Sequence, residues 1–195
     1  MKIVFATANP HKVAEVQKLL GGAFEITTPQ QLGYAGDIPE TGATLQENAL
    51  QKARFIAEKF GLPCFADDTG LETDALQGAP GVHSARYAGT NKDSAANMQL
   101  LLKNLHGAAC RTARFRCVIA LIIDGQERLF EGVAEGEILT EPQGAQGFGY
   151  DPVFRPAGHR RTFAEMSAEE KNRLSHRGKA VTQLVASLRE WRMSF

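Results

Sequence analysis

FADDTGL, Phe65 to Leu71, ends an apolar run that begins at Leu62 with two adjacent carboxylates, then a hydroxyl and a glycine. Leu62 to Ala66 reads as a buried strand following a helix that Gly61 and Pro63 stop, and strands alternating with helices point to an α/β sheet. Asp67 and Asp68 then fall at the carboxyl end of that strand, where open α/β sheets place their ligands. Successive side chains on a strand face opposite ways. One acid should therefore point into a site, and the other should be structural, capping a Thr69-Gly70 turn.

Upstream, Thr44-Leu-Gln-Glu47 has the form of a capping box, and Leu45, Ala49, Ala53, Ile56 and Phe60 repeat at helical spacing behind it. Lys2 to Ala6 is a short β-branched and aromatic run. Val13, Val16, Leu19 and Leu20 follow at helical spacing until Gly21-Gly22, giving strand, turn, helix. Downstream, residues 70–89 read as loop, and Met98, Leu101, Leu102 and Leu105 predict a third helix. Arg114 to Ile123, apolar on both faces, is a central strand. Asp124-Gly125 is its hairpin turn and Leu129 to Ile138 its partner. Residues 141–158, rich in Gly and Pro, form a long loop of the functional kind, and two helices follow it, the first behind the capping box Ser167-Ala-Glu-Glu170. The apolar face Ala180, Val181, Leu184, Val185, Leu188 and Trp191 marks the last. No repeat, low-complexity tract or linker interrupts the chain, so residues 1–195 read as one domain.

The chemistry-bearing residues gather in the connections. Thr7-Ala8-Asn9-Pro10-His11-Lys12 lies between the first strand and helix, with Asn9 as N-cap and Pro10 at the first helical position. A helix start with a lysine suits a phosphate chain, although plain capping gives the same residues. There is no Walker A pattern. Hard Mg²⁺ takes one or two carboxylates and keeps water and phosphate oxygens, so one of the paired acids qualifies as a ligand, with Glu40 of Pro39-Glu-Thr-Gly42 as the second. Gly147-Phe148-Gly149-Tyr150-Asp151 offers Phe148 as a face for stacking a base. Ser175-His176-Arg177-Gly178-Lys179, with Lys171 one turn ahead, is a cluster of donors. His11, His83, His106 and His159 show no metal-ligand spacing.

Composition limits the classes. The chain has 195 residues, 43% of them hydrophobic, and 22 basic against 22 acidic residues. With no net field, neither a nucleic acid polymer nor a membrane surface is an expected partner. Three cysteines without a C-x-x-C pair argue against a disulfide framework and a zinc cage, and there is no signal-peptide core or spanning run. A reducing, cytoplasmic location is expected.

Taken in order, TANPHK, PETG, ADDTGL, GAPGVHSARYAG, GFGYDPVF and EEKNRLSHRGKA resemble the inosine triphosphate pyrophosphatase family across essentially the whole chain. These Mg²⁺-dependent enzymes hydrolyse ITP, dITP and XTP to monophosphate and pyrophosphate. The resemblance implies an α/β fold: a long twisted mixed sheet flanked by helices in two lobes, with the nucleotide in a cleft between them. It further implies that Thr7 to Lys12 bind nucleotide, that Glu40 and Asp68 serve the metal, and that Asp68 is also the proton acceptor. Thr69 would touch substrate, Phe148 to Asp151 would hold the base and sugar end, and Lys171, His176 and Arg177 would complete the pocket. Arg177, with His176, is expected to donate to the 6-oxo group of the base. A homodimer is implied too. Ala8 stands where the family usually has glycine and Thr69 where serine is common, so the turn accepts a Cβ and the hydroxyl is kept. A Maf-type pyrophosphatase and a non-catalytic nucleotide-sensing module are the alternatives. SHRGKA and GFGYDP argue against the first, and the acids at Glu40 and Asp68 against the second.

Overall fold

In the computed structural model, residues 2–20 and 24–193 are described. Their order is β1 (Lys2–Phe5), α1 (Pro10–Leu20), β2 (Glu25–Thr27), α2 (Leu45–Phe60), β3 (Cys64–Thr73), β4 (Pro80–Gly81), α3 (Ser94–Asn104), β5 (Thr112–Ile123), β6 (Gln126–Ile138), β7 (Phe154–Pro156), α4 (Ala168–Leu174) and α5 (His176–Met193). The strands make a mixed sheet in the order β2-β1-β3-β5-β6-β7, with β4 paired to β3 off that path. β1 runs parallel to β2 and β3, whereas β3–β4 and β6–β7 are antiparallel.

The chain forms two compact units. The first comprises residues 1–68, 117–132 and 177–195, the second residues 69–116 and 133–176. In the first, Ile3, Phe5, Phe65, Ile119 and Leu121 pack with Val16 and Leu20 of α1 and with Ala180, Val181, Leu184 and Leu188 of α5. Phe5 and Phe65 stack with their ring centroids 4.5 Å apart. In the second, Leu71, Leu101, Leu105, Phe115, Tyr150, Phe154 and Phe163 belong to a core of their own.

β5 shows why a continuous apolar reading holds for only part of it. Cys117 to Leu121 are all buried, as a strand covered on both faces must be, whereas Ala113 and Phe115 are buried and Arg114 and Arg116 are not. Arg114 and Arg116 find acids instead, Arg114 at Asp74 and Arg116 at Glu72, each at 2.9 Å. Asp124 (φ +49°) and Gly125 (φ +73°) supply the two positive dihedrals that a two-residue hairpin turn needs.

Two expectations are corrected. The apolar run at Leu62 does not mark the strand's beginning, and Ala66 does not mark its end: β3 runs from Cys64 to Thr73, through both acids and through Thr69-Gly70. Nor is the stretch after Gly70 wholly loop. Leu71 and Glu72 pair with Gly81 and Pro80, and the Leu71 amide donates to Ser84 Oγ at 2.8 Å, so the backbone stays extended. Relative to β1, however, the acids do lie beyond a strand end, since Phe5↔Phe65 is its last pair with β3. The Gly21-Gly22 helix stop lies outside the described residues.

The α2 start follows the sequence pattern. The Glu47 amide donates to Thr44 Oγ1 and the Thr44 amide to Glu47 Oε2, both at 3.1 Å. Thr44→Ala removes one half of this reciprocal cap and should cost about 1 kcal/mol. A lowered urea midpoint at unchanged slope is the expected reading; an unchanged midpoint would refute it.

Candidate active site

The adjacent acids of β3 stand in two different surroundings of the first unit because the strand turns them to opposite faces. Asp67 shares its face with Phe65 and the α1/α5 core. Its Oδ1 accepts from Lys12 Nζ at 2.8 Å and its Oδ2 from Arg177 Nε at 3.2 Å. Arg177 Nη1 also donates to Glu15 Oε2 at 2.6 Å, so α1, β3 and α5 meet on one chain of charges. Burial opposes ionisation of Asp67, which is 1% exposed, but the cations of Lys12 and Arg177 outweigh it and hold the carboxyl well below the usual range. The turn that Asp67 is expected to cap is absent, because Thr69 and Gly70 lie within β3; its carboxylate meets two cations instead.

Asp68 faces α2. Its Oδ2 accepts from Asn48 Nδ2 at 3.2 Å and its Oδ1 from Lys52 Nζ at 2.9 Å. The same Lys52 nitrogen lies 2.6 Å from Glu40 Oε1, so the two acids named as metal ligands converge on one positive centre. Burial lifts the Asp68 carboxyl above its ordinary range, against the pull of Lys52. Burial works against the charge on Lys52, but Asp68 and Glu40 prevail and raise it.

Glu40 precedes a loop that α2 holds through its side chains. Gln51 accepts from the Thr41 amide at 2.8 Å, Asn48 from that of Gly42 at 2.8 Å, and Glu47 from those of Ala43 and Thr44 at 2.7 and 3.1 Å. A Cβ on Gly42 would stand 2.6 Å from Glu47 Cβ, which accounts for glycine in PETG. At the other loop, Asn9 caps α1 as expected. Its Oδ1 accepts from the amides of His11 and Lys12 at 2.9 and 3.4 Å, and Thr7 Oγ1 accepts from the Asn9 amide at 3.2 Å. Ala8, Pro10 and His11 are exposed.

The second unit gathers the aromatic loop around Lys171. Lys171 Nζ donates to Asp151 Oδ2 at 2.7 Å and lies 4.9 Å from the centroid of the half-buried Phe148 ring. Asp151 Oδ2 also accepts from the Phe148 amide at 2.8 Å, and Gly147, at φ +76°, leaves no room for a Cβ beside it. Tyr150 is anchored inward, its hydroxyl donating to Ser84 O at 2.8 Å, while Gly149 and Thr69 are half-buried. The His176 ring stacks on Phe115 at 4.6 Å.

Lys52, Asn48 and Glu15 are site residues that the sequence reading passed over. Asn48 and Lys52 carried a signal: both fall at i, i+4 beside the apolar stripe of α2, and both are buried. A lysine at such a position needs a partner. Glu15 carried none, because its partner Arg177 is 162 residues away.

A profile of the Ham1 family matches residues 3–187. A dITP/XTP pyrophosphatase of Porphyromonas gingivalis is 55% identical over 184 residues, covering 94% of this chain and 95% of that protein. One of Christiangramia forsetii is 50% identical, covering 96% and 99%. Among solved structures, a Ham1 protein of Coxiella burnetii superposes with a TM-score of 0.89 at 45% identity, covering 97% of this chain and 99% of that one. The Staphylococcus aureus Ham1 protein gives the same TM-score at 38% identity and the same coverage.

Arg177 is 2% exposed, and its guanidinium bonds two carboxylates. Arg177→Ala leaves Asp67 and Glu15 without it, and the loss of one partner from a buried pair costs about 3–5 kcal/mol. Denaturant unfolding should show a loss of that size, and a loss below about 1 kcal/mol would mean that the network carries no structural role.

Proposed function

Because the chain belongs to the Ham1 family, we propose that it hydrolyses deaminated purine nucleoside triphosphates, dITP, ITP and XTP, to the monophosphate and pyrophosphate. The observation that carries this reading from family to chemistry is the convergence of Glu40 and Asp68 on a single cation. Two carboxylates turned onto one point form a donor set suited to Mg²⁺, which keeps water and accepts phosphate oxygens in its remaining positions. Among the described residues no group of three or more His, Cys, Asp or Glu side chains is placed to hold a metal ion, so the proposed site rests on the two carboxylates alone. When bound, the ion would withdraw charge from the phosphate oxygens and the departing pyrophosphate.

The residues do the rest. Asp68 takes the proton of the attacking water at a carboxylate oxygen, and the burial that lifts its pKa makes it a better acceptor than an exposed aspartate. The water oxygen bonds to the α-phosphorus as the bond to the α–β bridging oxygen breaks, and that electron pair leaves on pyrophosphate. Lys12, steadied by Asp67, places a full positive charge at the start of α1, where the phosphate chain is met by Thr7 to His11. In the second unit, Phe148 is the stacking face for the purine, with Gly149, Tyr150, Asp151 and Lys171 shaping that end and Thr69 contributing its hydroxyl.

Arg177 and His176 are the proposed donors to the 6-oxo oxygen. A guanidinium carries five N–H groups, so bonding to Asp67 and Glu15 is compatible with donating to a base. Adenine presents an amino group there and would leave a donor unpaired, a cost of about 1–3 kcal/mol. Mg²⁺, a homodimer and a cytoplasmic setting belong to the same proposal. No helix among the described residues is long and apolar enough to cross a membrane.

Product analysis with dITP, ITP, XTP, GTP and ATP tests the reading. Pyrophosphate from the first three is expected; orthophosphate alone would overturn it. Asp68→Asn should lower pyrophosphate release by about 10²–10⁴-fold while the far-ultraviolet spectrum is unchanged. Arg177→Lys keeps the charge but not the planar fork, and should reduce ITP turnover more than ATP turnover. Equal losses would remove Arg177 from base selection.

A further inference from the structure

The ammonium of Lys52 occupies the place to which both carboxylates turn. It lies 2.6 Å from Glu40 and 2.9 Å from Asp68, with its side chain only 5% exposed, against 32% for Glu40 and 12% for Asp68. Two carboxylates share its one positive charge. Lys12 is bonded to Asp67 on the opposite face of β3. The acids do not depend on Lys52 alone for their placement. Asn48 Nδ2 holds Asp68, and the chain beyond Glu40 is bound by Gln51, Asn48 and Glu47. A lysine is a point charge on a flexible four-carbon stem, so it can leave both acids without backbone movement.

We propose that Lys52 is a place-holding cation: it keeps Glu40 and Asp68 turned onto one point before a divalent ion arrives, competes with that ion for both carboxylates, and is displaced from them when it binds. This rests on the reading of Glu40 and Asp68 as ligands. Without an ammonium, two neighbouring carboxylates repel, and the folded chain would keep that repulsion because α2 holds both in place. Removing Lys52 therefore has two opposite results: a less stable metal-free protein, and a site more avid for a divalent ion. A lysine that serves only the fold gives the first without the second, and one that stays on the acids beside the ion remains protected from acylation when the ion is bound.

Lys52→Met keeps the length and apolar stem of the side chain and removes its charge. Mn²⁺ binding without nucleotide, followed by electron paramagnetic resonance, should be about tenfold tighter or more than in the unaltered protein, since a competing ion pair is gone. Its metal-free Tm should be lower and its Mn²⁺-induced rise in Tm larger. An unchanged or weaker Kd in a folded variant overturns the proposal. If Lys52→Met does not fold, acylation footprinting of the unaltered protein decides: Lys52 should be protected without ion and gain reactivity at saturating Mn²⁺. Unchanged protection overturns it. Failure of the unaltered protein to bind Mn²⁺ at all overturns this inference and the metal reading together. Mn²⁺ binding that is no tighter in the variant overturns the inference alone.

Discussion

Alternation along β3 is the constraint from which the site follows. Asp67 and Asp68 are neighbours in sequence, yet a pleated strand gives them different faces and so different partners. Asp67 meets Lys12 and Arg177, Asp68 meets Asn48 and Lys52. The electrostatic result is a division of labour. The first acid is held ionised by two cations. The second is raised by burial, turned toward a shared ammonium, and left with a half-buried partner in Glu40. A one-residue slip of β3 would exchange these roles and bring Phe65 out of the α1/α5 core, so the packing of that aromatic fixes which carboxylate faces the reaction.

The Asp67–Arg177–Glu15 chain of charges should not be counted as a large source of stability. Desolvating three charged groups costs nearly what their attraction returns, whereas breaking the set leaves an uncompensated charge behind. Its value is geometric. It joins the start of α1, the middle of β3 and the first residues of α5, and it holds Lys12 beside the turn that follows β1. Net folding energy comes from the apolar contacts around Phe5, Phe65, Ile119 and Leu184.

Much of this was legible in the sequence because the signals are local. Capping boxes at Thr44 and Ser167, the Asn9 cap, the Asp124-Gly125 turn and the apolar stripes of α2 and α5 each lie within a few residues, and each has its predicted element. What sequence reading could not supply was long-range pairing. β3 looked complete at Ala66 because, Leu71 apart, its remaining residues are polar or glycine. They stay extended through β4 and Ser84, neither of which announces itself in the pattern. Arg177 read simply as a donor, since nothing nearby reveals that Asp67 and Glu15 hold it. Lys52 was the readable omission: a lysine beside the apolar stripe of a helix asks for a buried partner, and two carboxylates were already suspected nearby.

Glu40 shows how a loop residue can take part in a site that needs fixed geometry. A flexible acid would have to be ordered for each binding event, and immobilising a side chain costs about 0.5–1.5 kcal/mol. Here the cost is met on folding. Side chains from the first turns of α2 bind the amides of Thr41, Gly42, Ala43 and Thr44, and Gly42 lets the backbone lie against Glu47. The helix that carries Lys52 also holds the loop that carries Glu40 and, through Asn48, the carboxylate of Asp68. The two acids and the cation between them are thus referred to one rigid element, and the unfavourable approach of like charges is sustained by α2 rather than by the ion that later satisfies it.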